Sequence, residues 1–532
     1  MLILLPSFIL LFSASLITVL HLLRPRFSAN WLVAVLGAFL SWLSMLFLRL
    51  RLPTNMVFLE WETGNLYLNS PSLAIDYSSW PYAFAIATLI LSIVLSSPIN
   101  LTTKSEIINI AGNLAFVAIS YFSILASNLV ALLIGWAAID IIELLVLLRN
   151  NPGSSNNQRI IIGFTSRIGG LMLIFLAIVL GSRALGFQTG FESLSPIAGF
   201  PILLGIGLRL GLYPIHLTYP ENSTIRRSQG NLFRFIPAVS SLVLLTRIPK
   251  QTFGFEYLAI IKVLTFIAAC YGLIRFFSEK RELDSRSFWV MVLSSFAILS
   301  TINGEPFSST TWGVGMILLG GALFLHDSQT KFIKVLLMFG IFLFTGIPFT
   351  PNASGLSGLV GAENIIDEIF SLILFLILLG GLAKRIMNKP ALPEGQERIV
   401  YLTFPLSILL LILSYIIIGI FGWPGSLSMG AWRAVIIGAG IFILVLLVYI
   451  KYSSRLKDYQ SNTRTILQRN PIIYKNGTKL LKFTWVYSII NGGINILAKA
   501  VNWFTFLLEG DSGLLWGMVF LVLLVMIISG GK

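Results

Sequence analysis

The sequence is divided into successive apolar runs, each close to the ~20 residues that an α-helix needs to cross a bilayer. Hydrophobic residues make up 56% of the 532 positions and charged residues only 11%, unlike a soluble globular protein. The pattern predicts an all-α polytopic membrane protein with about sixteen transmembrane helices. The predicted spans are 2–23, 31–50, 80–99, 107–124, 127–148, 160–182, 198–217, 233–249, 255–277, 287–303, 311–327, 332–348, 366–383, 399–421, 432–450 and 513–530.

The basic residues follow the predicted loops in alternation. The formal net charge is +15, but this charge forms no single patch, which argues against nucleic acid as a partner. One set of loops holds most Lys and Arg, and the other holds only Arg49, Arg51, Arg183, Arg247, Lys250, Arg433 and Lys532. By the positive-inside rule the basic set faces the cytoplasm. We predict a multi-pass protein of the cytoplasmic (inner) membrane of a prokaryote, with both termini outside.

Span seven combines a charge with a predicted helix break. In GIGLRLGLYPIHLTYPE (205–221), Arg209 precedes Pro214 by about a turn, and His216 follows that proline. A proline removes a backbone hydrogen bond, and an arginine inside a membrane needs a polar partner or water. Charge and break at one depth are typical of ion pathways, so Arg209 and His216 are candidate pathway residues. The alternative is an arginine at a helix end that extends to the lipid headgroups.

Span five carries two carboxylates, Asp140 and Glu143, inside an apolar helix. Residues three apart share a helix face. Carboxylates within a membrane are paired, protonated or exposed to water, so both are candidates for a proton pathway. The alternative is that they stabilise the fold by pairing with an arginine such as Arg209.

Four further titratable residues are candidates for the same pathway. Lys262 lies near the middle of span nine, and buried lysines lose their proton readily. His326, Asp327 and Lys331 are grouped at the cytoplasmic end of span eleven, where a histidine that titrates near neutrality suits a relay. The alternatives are a lysine that extends to the membrane surface and a solvated polar cluster.

Span twelve contains a second predicted break. Its sequence FLFTGIPFTPNASG is interrupted at Pro348 and Pro351, five spans after the first break. Interrupted spans at matching places predict two inverted five-helix repeats, 107–250 and 251–385, with broken helices 7 and 12.

The other segments complete the predicted domain organisation. An N-terminal two-helix unit with an outer polar loop is followed by the third span, by spans 14 and 15, by a basic amphipathic segment on the cytoplasmic surface, and by the last span. Alternating apolar residues in the outer loop predict a short β-hairpin. The amphipathic segment is predicted to lie along the membrane or against partner subunits. The bounds are 1–79, 80–106, 386–450, 451–512 and 513–532.

Composition gives little support to cofactor chemistry. The chain has one cysteine, Cys270, and three histidines, too few for a typical zinc or disulfide framework. The glycines lie in apolar spans without the Lys and Ser/Thr of a phosphate-binding loop. We predict no metal, no small-molecule cofactor, and at most a non-catalytic subunit of an enzyme.

With these motifs, residues 80–385 resemble the antiporter-like proton-channel subunits of respiratory complex I, Mrp antiporters and membrane-bound hydrogenases. Arg209 falls on the family's span-seven lysine, Pro214 and His216 on its proline and histidine, and Arg247 on the arginine that closes its span eight. The resemblance implies a subunit embedded in lipid beside other membrane subunits. It also implies coupling to proton or cation translocation in a NADH/quinone or hydrogenase-type assembly.

The sequence also departs from that family. Ala137 stands where the family has its span-five glutamate, and Val239 and Leu356 fall near positions that are titratable there. Arg209 replaces a lysine, and arginine hardly releases its proton. Three functions therefore remain open: a divergent coupling subunit with a path through Asp140, Glu143 and Lys262; a non-conducting docking subunit of another complex, for example in inorganic-carbon uptake; and a stand-alone solute transporter.

Overall fold

The structure is a computed structural model whose described residues are helical apart from one strand pair and short turns. It describes 2–23, 30–57, 70–97, 104–150, 154–185, 191, 194–215, 227–254, 256–279, 281–361, 364–390, 398–424, 426, 436–441, 443, 444, 447 and scattered positions between 492 and 526.

Each predicted span as far as residue 421 contains a helix, and the helix Pro351–Val360 lies between two predicted spans. Ten described helices are long and apolar enough to cross a membrane, and Trp80–Leu95 and Pro196–Leu210 are shorter apolar helices. The predicted fold class is confirmed, whereas the number of spans stays a prediction. The bounds are α1 Leu5–Leu23, α2 Asn30–Leu48, α3 Trp80–Leu95, α4 Lys104–Ile124, α5 Leu129–Asn150, α6 Ser154–Leu185, α7 Pro196–Leu210, α8 Arg227–Arg247, α9 Leu258–Ser278, α10 Ser285–Ile302, α11 Pro306–Phe324, α12 Lys331–Phe344, α13 Pro351–Val360, α14 Ile365–Met387 and α15 Arg398–Phe421.

An antiparallel strand pair lies between α2 and α3, but its first strand precedes the segment from Leu59 in which the hairpin was predicted. Strand β1 (Thr54–Val57) pairs antiparallel with β2 (Ser72–Ile75), and the connection 58–69 lies outside the described residues. Asp76 follows β2 and accepts hydrogen bonds from the backbone N–H groups of Ser78 at 3.0 Å and Ser79 at 2.8 Å. Arg247, the last residue of α8, lies 3.4 Å from the Asp76 carboxylate. Burial raises the pKa of Asp76, but Arg247 and these hydrogen bonds outweigh it and hold the pKa below its usual value.

The first interruption lies at the end of α7. The helix has 15 residues and therefore rises about 22 Å, less than the ~30 Å of a bilayer core. It ends at Leu210, where Gly211 adopts a left-handed conformation with φ 75° and donates to the carbonyls of Gly207 and Leu208. The helix thus ends before Pro214, not at it, and Arg209 occupies the last turn. A left-handed glycine closes helix ends because it has no Cβ to clash.

The second interruption separates α12 from α13. The helix α12 ends at Phe344, before Pro348, and the intervening residues Gly346 and Phe349 have φ values of 90° and 69°. Pro351 is the first residue of α13, a position where its missing N–H is not needed. The predicted break is therefore present, but Pro351 begins a helix instead of ending one.

The chain divides into two compact units, residues 1–456 and 457–532. Most of the predicted amphipathic segment 451–512 lies in the second unit and outside the described residues. The finer division into repeats and terminal units stays a prediction.

Candidate functional site

Three helices bring four charged side chains together in the interior. Helix α5 contributes Asp140 and Glu143, α6 contributes Arg167, and α7 contributes Arg209; we call these four residues the ion-pair cluster. Their exposed fractions are 1%, 1%, 6% and 4%. Asp140 lies in the central turns of α5, so the cluster is inside the bundle and not at a membrane surface. The alternative of an arginine that extends to the headgroups does not fit Arg209.

Arg209 is held on three sides. Its Nη1 donates to Asp140 Oδ2 at 2.7 Å and its Nη2 to Asp140 Oδ1 at 3.4 Å. Its Nε donates to the hydroxyl of Ser241 on α8 at 3.2 Å. The guanidinium lies 4.0 Å from the ring centroid of Trp136, in cation–π geometry. A planar guanidinium can make all these contacts at once, which an ammonium cannot.

Arg167 bridges the two carboxylates. Its Nη1 lies 3.3 Å from Asp140 Oδ1 and also donates to Glu143 Oε2, and its Nη2 donates to Glu143 Oε1 at 3.1 Å. Asp140 is therefore shared between both arginines. Glu143 is bonded to Arg167.

Local sequence explains why the cluster forms. Trp136, Asp140 and Glu143 lie at i, i+4 and i+7 of α5, which places them on one face. Helices α6 and α7 cross where Gly170 meets Gly205. A Cβ built on Gly170 would lie 2.5 Å from the Gly205 carbonyl and 2.6 Å from Arg209 Cγ, so only glycine permits this approach. The crossing brings Arg209 Nη1 within 3.4 Å of the Arg167 carbonyl.

The cluster is balanced in charge, with two carboxylates against two guanidiniums. Removing one partner of a buried ion pair leaves an uncompensated charge and lowers the stability by ~3–5 kcal/mol. Arginine stays protonated at any physiological pH. If the cluster exchanges a proton, the proton must therefore bind a carboxylate.

Lys262 lies outside the ion-pair cluster and pairs with Asp367. Its Nζ lies 2.5 Å from Asp367 Oδ2 of α14, and both side chains are partly exposed. Lys262 is the fifth residue of α9, so it lies near the helix start instead of near the middle as predicted. His216 lies outside the described residues.

His326 is buried in the connection between α11 and α12. Its Nε2 lies 3.2 Å from the Ser407 hydroxyl, and its ring stacks on Phe404 with centroids 3.9 Å apart. Burial, with the charges of Lys389 and Arg227, lowers the pKa of His326 to about 3. His326 is therefore neutral near pH 7, which fits neither the predicted relay nor the solvated alternative. Asp327 and Lys331 are exposed.

The cations beside His326 close the C-terminal end of α11. Arg227 donates to the carbonyls of Phe324 and His326, and Lys389 donates to that of His326 at 2.7 Å. Glu282 joins them, 3.3 Å from Arg227 and 2.9 Å from Lys389. Cations at a helix C-terminus satisfy its free carbonyls and complement its dipole.

Arg167 is the residue of the cluster that the sequence analysis did not select. Charge balance was the available signal, because two carboxylates one turn apart in a span need more than Arg209 to compensate them.

Within the described ranges, no group of three or more His, Cys, Asp or Glu side chains is arranged to hold a metal ion.

The chain has the same polytopic helical fold as chains of two solved membrane complexes. A chain of the membrane-bound sulfane sulfur reductase, an archaeal respiratory membrane complex, matches with a TM-score of 0.65 at 15% identity, over 98% of this chain and 99% of that one. A chain of the Mrp complex from Dietzia sp. DQ12-45-1b matches with a TM-score of 0.70 at 11% identity, over 99% of this chain and 63% of that one. No family model and no curated protein matches the sequence. The resemblance found in the sequence is confirmed for the fold.

Proposed function

We propose that this chain is an antiporter-like subunit of a multi-subunit complex in a prokaryotic cytoplasmic membrane, coupled to movement of protons or another cation. The supporting observation is the ion-pair cluster, four buried charges beside the interrupted end of α7. Buried charges at a helix interruption are the usual construction of intramembrane ion pathways. The basic loops face the cytoplasm in this proposal.

Glu143 is the group that exchanges a proton, because the two carboxylates have unequal surroundings. Among the described residues, Arg167 is bonded to both Asp140 and Glu143, whereas Arg209 is bonded to Asp140. Protonation of Glu143 leaves each arginine with Asp140. Protonation of Asp140 would leave Arg209, buried against Trp136, without a bonded carboxylate, which is unfavourable in a low-dielectric interior.

The test is proton flux into liposomes that contain the whole assembly. Glu143→Gln is expected to reduce the flux by about 10²-fold, the lower end of what a positioned acid–base group contributes. Glu305→Gln, the same change at an exposed carboxylate beside α11, is the control and is expected to leave flux unchanged. Unchanged flux in an intact Glu143→Gln assembly would remove the proposed path.

A second candidate function is a non-conducting docking subunit. Val239 and Leu356, where the resemblance implies titratable side chains, are both 0% exposed and apolar. Both arginines of the cluster are also permanently charged. In this alternative the cluster only fixes the packing of α5, α6 and α7.

The docking alternative has a separate test. Deletion of residues 451–508 is expected to release the chain from its complex, measured by co-purification, while the flux of the intact assembly is insensitive to Glu143→Gln. Purification of this chain alone as an active transporter would contradict it.

A further inference from the structure

The second helix interruption contains a buried hydrogen-bond acceptor that lacks a donor. Asn352, the second residue of α13, is 0% exposed. Its Nδ2 donates to the Phe344 carbonyl at the end of α12 at 2.5 Å, which fixes the orientation of the amide. Its Oδ1 has no hydrogen-bond partner among the described residues. A buried amide oxygen without a partner is unfavourable, so a small hydrogen-bond donor is expected beside it.

A second acceptor faces the same point. The Thr311 hydroxyl donates to the Ser308 carbonyl at 2.8 Å, which uses its only hydrogen and leaves its lone pairs available. A Cβ built on Gly355 would lie 2.7 Å from Asn352 Oδ1 and against Thr311 Oγ1, so both oxygens approach this one glycine. Neither oxygen can donate to the other. An occupant that supplies two hydrogens to them would satisfy both.

We propose that an ordered water molecule bridges Asn352 Oδ1 and Thr311 Oγ1 at the second interruption. Water donates two hydrogen bonds and carries no charge, as a buried site built from a neutral amide and a neutral hydroxyl requires. A bare cation would need several more oxygens, and no carboxylate takes part in these contacts to compensate its charge.

The site deepens the proposed function and rests on it. Leu356, one turn after Asn352, occupies a position where the resemblance implies a titratable side chain. A bound water beside it hydrates this interruption, where Leu356 supplies no ionisable group.

The test compares cryo-EM maps of the assembly at a resolution that shows ordered water. Wild type is expected to show a density peak within hydrogen-bond distance of both oxygens. Thr311→Val keeps the side-chain shape, removes the acceptor and is expected to lose the peak. Thr301→Val is the matched control, because Thr301 is equally buried and only donates to its own helix at the Ala297 carbonyl. No peak in wild type, or a peak that persists in Thr311→Val, would overturn the proposal.

Two further measurements separate the possible failures. If the peak is present but flux does not depend on Glu143, the proposed function fails while the water site stands; if flux depends on Glu143 and the peak is absent, the site alone fails. The thermal midpoint in sodium chloride against choline chloride identifies the occupant. A sodium-dependent rise that Thr311→Val abolishes would show a sodium ion and would contradict bound water.

Discussion

Among single residues, Asp140 has the most demanding position in the ion-pair cluster. Both of its oxygens accept from guanidiniums, and two arginines depend on it. Charged groups in a buried network of this kind stabilise the fold only together, because each is costly without its partners. The residue that fixes the cluster and the residue that exchanges a proton are therefore different.

Asp140→Asn is expected to destabilise the protein more than Glu143→Gln. The first change leaves Arg209 without its bonded carboxylate and is expected to lower the free energy of unfolding by about 3–5 kcal/mol. The second leaves Arg167 bonded to Asp140 and is expected to lower it by about 1–2 kcal/mol. Thermal midpoints of the purified assembly measure both. Equal losses would show that the carboxylates are interchangeable.

His326 predicts a stability loss in mild acid. Its pKa is about 3 in the folded protein and about 6.5 when unfolded. As pH falls below ~6.5, the unfolded state binds a proton that the folded state does not, so this part of the stability declines toward pH 3. The thermal midpoint is expected to fall less between pH 7 and pH 5.5 in His326→Asn than in wild type. Parallel declines would contradict the buried neutral imidazole.

At the scale of helices, the sequence predicted where the elements lie but not where they are interrupted. Apolar runs of the right length located the helices, because a helix satisfies its backbone hydrogen bonds within one segment of the chain. The predicted positions of the two helix interruptions were wrong because they were assigned to prolines. Pro201, Pro237 and Pro405 lie inside helices, whereas the left-handed residues Gly211 and Gly346 mark the interruptions.

The contacts between elements were only partly predictable. The spacing of Asp140 and Glu143 predicted a shared face, and pairing with Arg209 was among the alternatives. The second guanidinium could not be assigned, because the Gly170–Gly205 crossing that sets α6 against α7 depends on three-dimensional packing. A glycine pair in two apolar helices does not by itself specify which helices meet.

The crossing of α6 and α7 gives a prediction with a neighbouring control. Gly170→Ala places a methyl group 2.5 Å from the Gly205 carbonyl. It is expected to separate the helices and to lower the free energy of unfolding by about 1–3 kcal/mol. Gly169→Ala meets no atom within 4 Å and is expected to be neutral or to stabilise the helix by up to ~1 kcal/mol. Thermal midpoints of the two variants provide the comparison. A harmless Gly170→Ala would show that the crossing is loose.

At the scale of the whole molecule, Glu282 links the two predicted repeats. It joins Arg227 of α8, in the first predicted repeat, to Lys389, directly after the second. The three residues are far apart in sequence, and both cations also bind carbonyls at the end of α11. The link therefore depends on the assembled fold and not on any one helix.

Glu282→Gln is expected to weaken this link. The variant leaves Arg227 and Lys389 close together without the carboxylate between them, and is expected to lower stability by about 1–2 kcal/mol, between the values for exposed and buried pairs. Glu279→Gln is the control, because Glu279 forms an i,i+4 pair with Arg275 worth only ~0.2–0.5 kcal/mol. Chemical denaturation of the assembly measures the difference. A larger effect in the control would contradict the assigned role of Glu282.

The basic C-terminal end of α14 has a mechanical consequence. Lys384 and Arg385 donate to carbonyls at the end of α9, and Lys389, just after α14, donates to the carbonyls of Leu323 and His326 at the end of α11. One end of α9, α11 and α14 is thus held together by a single stretch of chain. The three helices are expected to move as one rigid body. Any alternating opening toward the two sides of the membrane would then have its hinge at the glycine-terminated end of α7, next to the arginines.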